Sequence, residues 1–363
     1  MAGSSSPAAI HPGSRHCPVS APLELTINLQ RRHFCRGVPL AESRYGAAFA
    51  FHPHIFENKM TFSRRNFLAG GLGLLAATAV LSVRAGSTAE PVAAIGEEIR
   101  AKSTDGLNLS ARVYGPEGAP EILFLHGLGQ SRLAWTHQVH ALSDRFRLVT
   151  WDFRGHGDSD RPASIAAYAD AALWACDVQA VIAAAGLRRP TLVGWSLGGY
   201  VAGQYLARYG DGSVAGVNLV DAVTKFDYAL FGSAGLQYSP DMTSPDLAER
   251  TAAIAGFLGA CFAQPPAASD FNQMLVYNGM VPPELHAAVG QLSAEGMDTA
   301  FAAVQRMLVT YGAKDVITTR EMSRRILDLN PRAQLSVYEE SGHAPFYEEH
   351  ARFNGELAAF AAG

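Results

Sequence analysis

Gly194-Trp195-Ser196-Leu197-Gly198 is the stretch of sequence that decides the fold. The apolar residues 190–193 before it predict a strand, and residues 200–207 after it have the apolar spacing of a helix. A G-x-S-x-G turn between a strand and a helix is typical of a nucleophile elbow, which exposes the serine oxygen on a strained backbone. Ser196 is therefore the candidate nucleophile. We expect a Cβ at Gly194 or Gly198 to collide with the backbone across this turn.

A serine hydroxyl needs a base to accept its proton, and the base needs a carboxylate to orient it. His343 is the candidate base, because it lies in a turn-rich loop directly after the alternating apolar residues 335–338. A single closing helix is predicted after it, with the apolar residues Phe346, Phe353, Leu357 and Phe360. Asp315 is the candidate acid, because it follows the strand-like residues 307–312. Asp221 is a rival acid at the end of the strand-like residues 217–220. We favour Asp315 and interpret Asp221 as a loop carboxylate.

Several linked motifs carry a resemblance to a known family. They read FLHGLG at residues 124–129, VTWDFRGHGDS at 149–159, LVGWSLGG at 192–199, VNLVDA at 217–222, LVTYGAKD at 308–315 and SGHAPF at 341–346. Together they resemble the α/β-hydrolases over about residues 94–362, in particular the esterase and non-haem haloperoxidase-like branch. Ser196, then Asp315, then His343 is also the chain order of that fold.

The resemblance implies an α/β-hydrolase fold, with a mostly parallel eight-stranded sheet covered by helices on both faces. It implies that Ser196 is the nucleophile, His343 the general base and acid, and Asp315 its orienting carboxylate. The backbone N–H groups of Leu128 and Leu197 would form the oxyanion hole. Haloperoxidase-like enzymes with perhydrolase activity favour proline in the oxyanion loop, whereas this chain reads Leu128-Gly129-Gln130. Ester hydrolysis is therefore expected rather than peroxyacid chemistry.

The remaining pattern also predicts alternating strands and helices. Residues 97–114 predict an antiparallel pair around a turn at Asp105-Gly106, and residues 146–151 predict a parallel strand. Between about residues 222 and 305 the alternation stops, and we expect a helical cap whose aromatic and methionine side chains line an apolar substrate pocket. Those side chains are Phe226, Tyr228, Phe231, Phe257, Phe262, Met274 and Met280. The domain would span residues 90–363.

Composition excludes several other classes of protein. A net charge of −4, with no dense run of Lys or Arg, gives no footprint for nucleic acid. Four scattered cysteines predict neither a disulfide scaffold nor a zinc site, and the sequence leaves open whether Cys176 and Cys261 pair. The Asp and His residues of WDFRGHGDSD are interpreted as a tight structural loop rather than as metal ligands. We expect no metal and no cofactor.

The N-terminal region predicts export. Arg64-Arg65 precede a Gly- and Ala-rich apolar run at residues 69–83, which resembles a twin-arginine signal peptide over residues 60–89. Cleavage is expected near Ala85 or Ala89, which would leave no stable membrane anchor and place the protein in the periplasm or outside the cell. Residues 1–59 lack periodicity and are interpreted as a disordered extension or a mis-set start.

The sequence therefore predicts an exported serine hydrolase that acts on small apolar esters and is a substrate of the twin-arginine export machinery. A carbon–carbon hydrolase of the ring-cleavage type is an alternative, because it shares the triad and a similar oxyanion loop. A non-catalytic ligand sensor on the same fold is a second alternative. The natural substrate and the oligomeric state do not follow from the sequence.

Overall fold

The computed structural model describes residues 96–363. The sequence-based predictions for residues 1–59 and for the signal peptide at 60–89 lie outside this range. Within it, no helix is both long enough and apolar enough to cross a membrane.

A single eight-stranded sheet organises these residues, as predicted. In sheet order β1-β2-β4-β3-β5-β6-β7-β8, the pairs β1–β2 and β2–β4 are antiparallel and every later pair is parallel. The strands are β1 Glu97–Lys102, β2 Asn108–Tyr114, β3 Glu121–Leu125, β4 Arg147–Trp151, β5 Thr191–Trp195, β6 Gly216–Val220, β7 Met307–Gly312 and β8 Gln334–Tyr338. Because parallel strands need crossover connections, helices follow most of them.

Helices cover both faces of the sheet. They are α1 Thr136–Leu142, α2 Ile165–Ala169, α3 Ala171–Ala184, α4 Leu197–Tyr209, α5 Ser233–Tyr238, α6 Leu247–Ala260, α7 Ala268–Gly279, α8 Pro283–Val289, α9 Met297–Ala303, α10 Arg320–Leu329, α11 Pro345–Glu348 and α12 His350–Ala362. Strand β3 shows the two layers, because its side chains alternate between two cores. Leu123 and Leu125 pack with α3 and α4, whereas Ile122 and Phe124 pack with α1 and α12.

One sequence-based prediction about the last helix is wrong. A single closing helix was expected after His343, but the chain forms α11 and α12 with a break at Glu349, whose backbone is not helical (φ −119°, ψ 44°). The adjacent acidic side chains explain the break. Glu348 accepts a hydrogen bond from the Gly342 N–H at 2.7 Å, and Glu349 accepts one from the Ser341 hydroxyl at 2.7 Å.

The segment between β6 and β7 is helical and contains α5 to α9. The predicted pocket lining is only partly correct for its side chains. Phe257, Phe262 and Met274 are buried in the core on the α1 side of the sheet. Tyr228 is 84% exposed and Met280 is 43% exposed, so both face solvent. The aromatic and methionine pattern of this segment is thus largely the pattern of a helical core.

Candidate active site

Ser196 lies in the turn between β5 and α4. Its backbone has φ 53° and ψ −119°, a conformation that residues other than glycine rarely adopt. The glycines on either side permit this turn. A Cβ on Gly194 would lie 2.6 Å from the Gly198 carbonyl oxygen, as expected, whereas a Cβ on Gly198 would collide with the Leu125 carbonyl oxygen at the end of β3. The absence of a side chain at Gly198 therefore allows the end of β3 to pack against the turn. Sequence alone did not predict this contact.

The loop after β3 packs directly on this turn. A Cβ on Gly127 would lie 3.3 Å from the Ser196 Cβ, so the loop backbone is in contact with the candidate nucleophile. Leu128 is the next residue, and Leu197 is the first residue of α4. The N–H of a first helical residue has no acceptor within its own helix. The two N–H groups predicted to form the oxyanion hole thus belong to two segments that meet beside Ser196.

Two buried histidines hold this loop, and the sequence analysis did not assign them that role. His126 Nδ1 donates to the Gly127 carbonyl at 2.8 Å, and its Nε2 accepts from the Phe153 N–H at 3.0 Å. His156 Nε2 accepts from the Gly129 N–H at 3.1 Å, and its Nδ1 donates to the Arg154 carbonyl at 3.1 Å. Each ring donates through one nitrogen and accepts through the other, which requires the neutral form.

Burial keeps both rings neutral. It lowers the pKa of His126 to about 4 and the pKa of His156 well below its usual value. The tight loop predicted beneath the oxyanion segment is therefore present, and His156 joins the two loops. Asp152 and Arg154 are structural, as expected: Asp152 accepts from the Arg132 N–H at 2.7 Å, and Arg154 Nε donates to Asp177 at 2.6 Å.

His343 and Asp315 form a buried hydrogen-bonded pair. His343 Nδ1 donates to Asp315 Oδ2 at 2.8 Å, and both side chains are essentially inaccessible to solvent. The proton on Nδ1 leaves a lone pair on Nε2. That nitrogen is buried and has no hydrogen-bond partner among residues 96–363. The pair therefore presents one unprotonated nitrogen as a potential base.

The backbone of His343 is fixed from two sides. Trp195, next to Ser196, donates from its indole Nε1 to the His343 carbonyl at 2.6 Å. The His343 N–H donates to the Cys261 carbonyl at the end of α6, at 2.9 Å. These contacts bind the loop after β8 to the nucleophile turn and to the helical segment above it. The role of Trp195 could not be inferred from the motif, in which its position accepts many residues.

Asp221 ends β6 and lies beside the same pair. Atoms of Asp221, Asp315 and His343 all lie within 4.8 Å of one another. The rival acid of the sequence analysis is thus next to the favoured one, although His343 donates to Asp315. Strands β6 and β7 are neighbours in the sheet, so their carboxyl ends place both aspartates at one edge.

The two cysteines of the predicted mature region do not pair with each other. Cys261 has a free thiol that is buried at the end of α6. Burial and the nearby Asp315 charge raise the pKa of this thiol well above its usual value. It is therefore kept as an unreactive thiol at neutral pH.

Comparisons with known proteins agree with this fold. The model of a family described as "Alpha/beta hydrolase family" matches residues 122–356. The structure is similar to that of a proposed aryl esterase from Burkholderia cenocepacia, with 35% identity and a TM-score of 0.70 over 73% of this chain and 97% of that one. An esterase from Rhodococcus sp. matches with 32% identity and a TM-score of 0.68, over 74% and 98% of the two chains.

A non-heme chloroperoxidase from Streptomyces lividans is similar over a shorter stretch. The two sequences are 36% identical over 122 residues, which cover 33% of this chain and 43% of the chloroperoxidase. The esterase matches thus extend over a much larger part of the chain.

Proposed function

The chain belongs to the alpha/beta hydrolase family, and from that premise we propose that it is an exported serine hydrolase that cleaves carboxylic esters through an acyl-enzyme on Ser196. The observation that carries the proposal is the position of Ser196. Its turn contacts the loop after β3 on one side, and on the other the adjacent Trp195 is hydrogen-bonded to the backbone of His343. A serine hydrolase needs its nucleophile between the base and the N–H groups that stabilise the oxyanion.

The proposed reaction uses the unprotonated Nε2 of His343. His343 Nε2 takes the Ser196 proton as the serine oxygen attacks the ester carbonyl, and the Asp315 carboxylate stabilises the resulting imidazolium through Nδ1. The N–H groups of Leu128 and Leu197 stabilise the oxyanion. His343 then protonates the leaving alcohol. Water repeats the two steps on the acyl-enzyme and releases the acid, so the cycle needs no cofactor.

We expect the substrates to be small or medium apolar esters. Ser196 is 7% exposed, and the segment containing α5 to α9 is rich in apolar side chains. An apolar enclosure favours an acyl or alcohol group without charge, because an unpaired charge would lose its hydration there. The esterases among the similar structures support the same class of substrate.

A panel of p-nitrophenyl esters of increasing acyl length, run beside a vinylogous diketone, tests the proposal. We expect turnover of the esters, with an optimum at short or medium length, and no cleavage of the diketone carbon–carbon bond. Hydrolysis of the diketone alone would instead indicate the ring-cleavage class of hydrolase. No turnover of any compound, with a protein that is folded, would favour a non-catalytic ligand sensor.

A further inference from the structure

Two carboxyl groups share one buried position beside His343. Asp221 is wholly buried at the end of β6, and Asp315 is buried after β7. Asp221 has a backbone φ of 42°, in the left-handed region that Asn and Asp tolerate better than most residues. A carboxyl oxygen of Asp221 lies within 4.8 Å of both a carboxyl oxygen of Asp315 and a ring nitrogen of His343.

The two carboxyl groups have very different hydrogen bonds. Asp315 accepts four, from His343 Nδ1, the Ile317 and Thr318 N–H groups and the Thr318 hydroxyl, at 2.6–3.1 Å. Asp221 accepts one, from the Gly312 N–H at 3.0 Å through Oδ1. Its Oδ2 is buried and accepts no hydrogen bond from any donor among residues 96–363. Four donors stabilise a carboxylate, so the negative charge belongs on Asp315.

The charges that face Asp221 also disfavour its ionised form. The ionisable groups near Asp221 are Asp315, Glu348 and Tyr311, and each of them is either neutral or negatively charged. The ring of His343 donates its hydrogen bond to Asp315 and not to Asp221. Burial, and then the Asp315 charge, raise the pKa of Asp221 well above its usual value. Two carboxylates this close in a water-poor site cannot both ionise easily.

The protonation state of Asp221 affects whether His343 can act as a base. With both aspartates ionised, the imidazole of His343 would face two negative charges and would bind a second proton more tightly. A protonated imidazole cannot accept the proton of Ser196. One negative charge beside His343 orients the ring and leaves Nε2 available.

We propose that Asp221 is a protonated carboxylic acid whose O–H group donates a hydrogen bond to Asp315, and that it acts as a positioning residue for the Asp315–His343 pair. The positioning role rests on the proposed function, in which Asp315 and His343 are the acid and the base. Asp221 touches no reacting atom in this arrangement. It supplies the hydrogen-bond donor that a second carboxylate could not supply.

Infrared difference spectroscopy tests the proton without any substrate. Spectra of wild type and of Asp221→Asn are compared at slightly alkaline pH, where an ordinary Asp with a pKa of about 3.9 is ionised. We expect wild type to show the C=O band of a protonated carboxyl group that the variant lacks. Asp160→Asn is the control, because it makes the same substitution at an exposed position outside the site. Carboxylate bands for Asp221 would overturn the proposal.

The rate of fluorophosphonate labelling at Ser196 tests the positioning role. Asp221→Asn keeps a neutral donor and tolerates the positive φ, and its rate should stay within about threefold of wild type. Asp221→Gly also tolerates this φ but removes the donor, and its rate should fall by about 10- to 100-fold. Equal rates for the two variants would overturn the positioning role. If no serine is labelled, the proposed function fails, while the infrared result still decides where the proton lies.

Discussion

At the scale of single residues, the chemistry depends on which atoms of His343 are occupied. Nδ1 is bound to Asp315 at 2.8 Å, and the backbone N–H and carbonyl are bound to Cys261 and Trp195. The ring thus has one orientation and one unoccupied nitrogen. In the proposed reaction, preorganisation of this kind lowers the barrier, because His343 does not have to find its position as Ser196 attacks.

The first prediction concerns Asp315, the carboxylate proposed to orient His343. Asp315→Asn should lower ester turnover by about 10⁴, because an amide cannot fix the same His343 tautomer or stabilise the imidazolium. Steady-state kinetics on a p-nitrophenyl ester measures the effect. Asp298→Asn is the control, since its carboxylate pairs with Arg325 at a partly exposed position outside the site. Comparable losses in both variants would indicate damage to the fold rather than to the triad.

Residue identities at the site were predictable where a motif encodes them. Ser196, Asp315 and His343 follow recognisable strand ends, and the structure places Asp315 and His343 in contact. The sequence predicted Asp221 only as a rival to Asp315. It did not predict that both would lie beside His343, because that depends on β6 and β7 being neighbours in the sheet. The hydrogen bond from Gly129 to His156 likewise joins positions 27 residues apart through a fold that local patterns do not specify.

At the scale of elements, α7 contacts the loop that contains Leu128, whose N–H group we propose as part of the oxyanion hole. The Tyr277 hydroxyl donates to Gln130 Oε1 at 3.2 Å, and the side chain of Asn278 lies against Gly129. Both residues are buried. A helix of the segment between β6 and β7 therefore helps to define the shape of the loop after β3.

The second prediction tests this connection. Tyr277→Phe leaves Gln130 Oε1 without that donor and should cost about 1–3 kcal/mol of unfolding free energy, with a lower kcat and a smaller change in KM. Urea denaturation and steady-state kinetics measure the two effects. Tyr228→Phe is a matched control, because Tyr228 is 84% exposed and should change neither quantity. An unchanged kcat for Tyr277→Phe would show that α7 does not influence the loop.

Strands were more predictable than helix ends. Strands β3 to β7 are short, mostly apolar runs whose two faces are both buried, which is a strong local signal. The break between α11 and α12 depends on Glu348 and Glu349 accepting hydrogen bonds from residues 341 and 342. Those partners become available only when the loop after β8 folds back, so the sequence pattern alone predicted one continuous helix.

At the scale of the whole molecule, buried neutral histidines predict sensitivity to acid. Burial lowers the pKa of His126 and of His286 to about 4, and that of His156 well below 6.5. The unfolded chain binds these protons near pH 6.5, whereas the folded protein does not. Their contribution to stability is therefore complete above about pH 6.5 and is lost as the pH falls towards about 4.

The third prediction follows from that sign. The free energy of unfolding in urea should fall between about pH 7 and pH 5, by up to about 1.4 kcal/mol per pH unit for each of the three histidines. His286→Gln should remove the contribution of His286 to this pH dependence of the unfolding free energy, because Gln does not titrate. A free energy of unfolding that is flat or rises over this interval would contradict neutral burial of these rings.

The fourth prediction concerns export, which also belongs to the whole chain. A chain that starts at Met60 should reach the periplasm or the medium and be trimmed near Ala85 or Ala89. Arg64→Lys combined with Arg65→Lys should keep it in the cytoplasm, because the arginine pair is recognised as an address rather than as charge alone. Fractionation and mass spectrometry of the mature N-terminus measure both. Export of the Lys variant would contradict the twin-arginine hypothesis.

Residues 1–59 provide a further check on the start of the chain. Their removal should leave both export and ester hydrolysis unchanged, since the segment has no periodic apolar pattern with which to build a core. Loss of activity in the shortened chain would show that this segment is part of the enzyme.

The most direct test of the central claim is the site of covalent labelling by a fluorophosphonate, located by mass spectrometry. The account predicts one phosphonyl group per chain, on the peptide that contains Ser196, and no labelling of Ser196→Ala, whose free energy of unfolding should be nearly unchanged. Ester turnover by that variant should fall by several orders of magnitude, to about the residual level left when a catalytic serine is removed. Labelling at another serine, or ester turnover that survives in Ser196→Ala, would contradict the account.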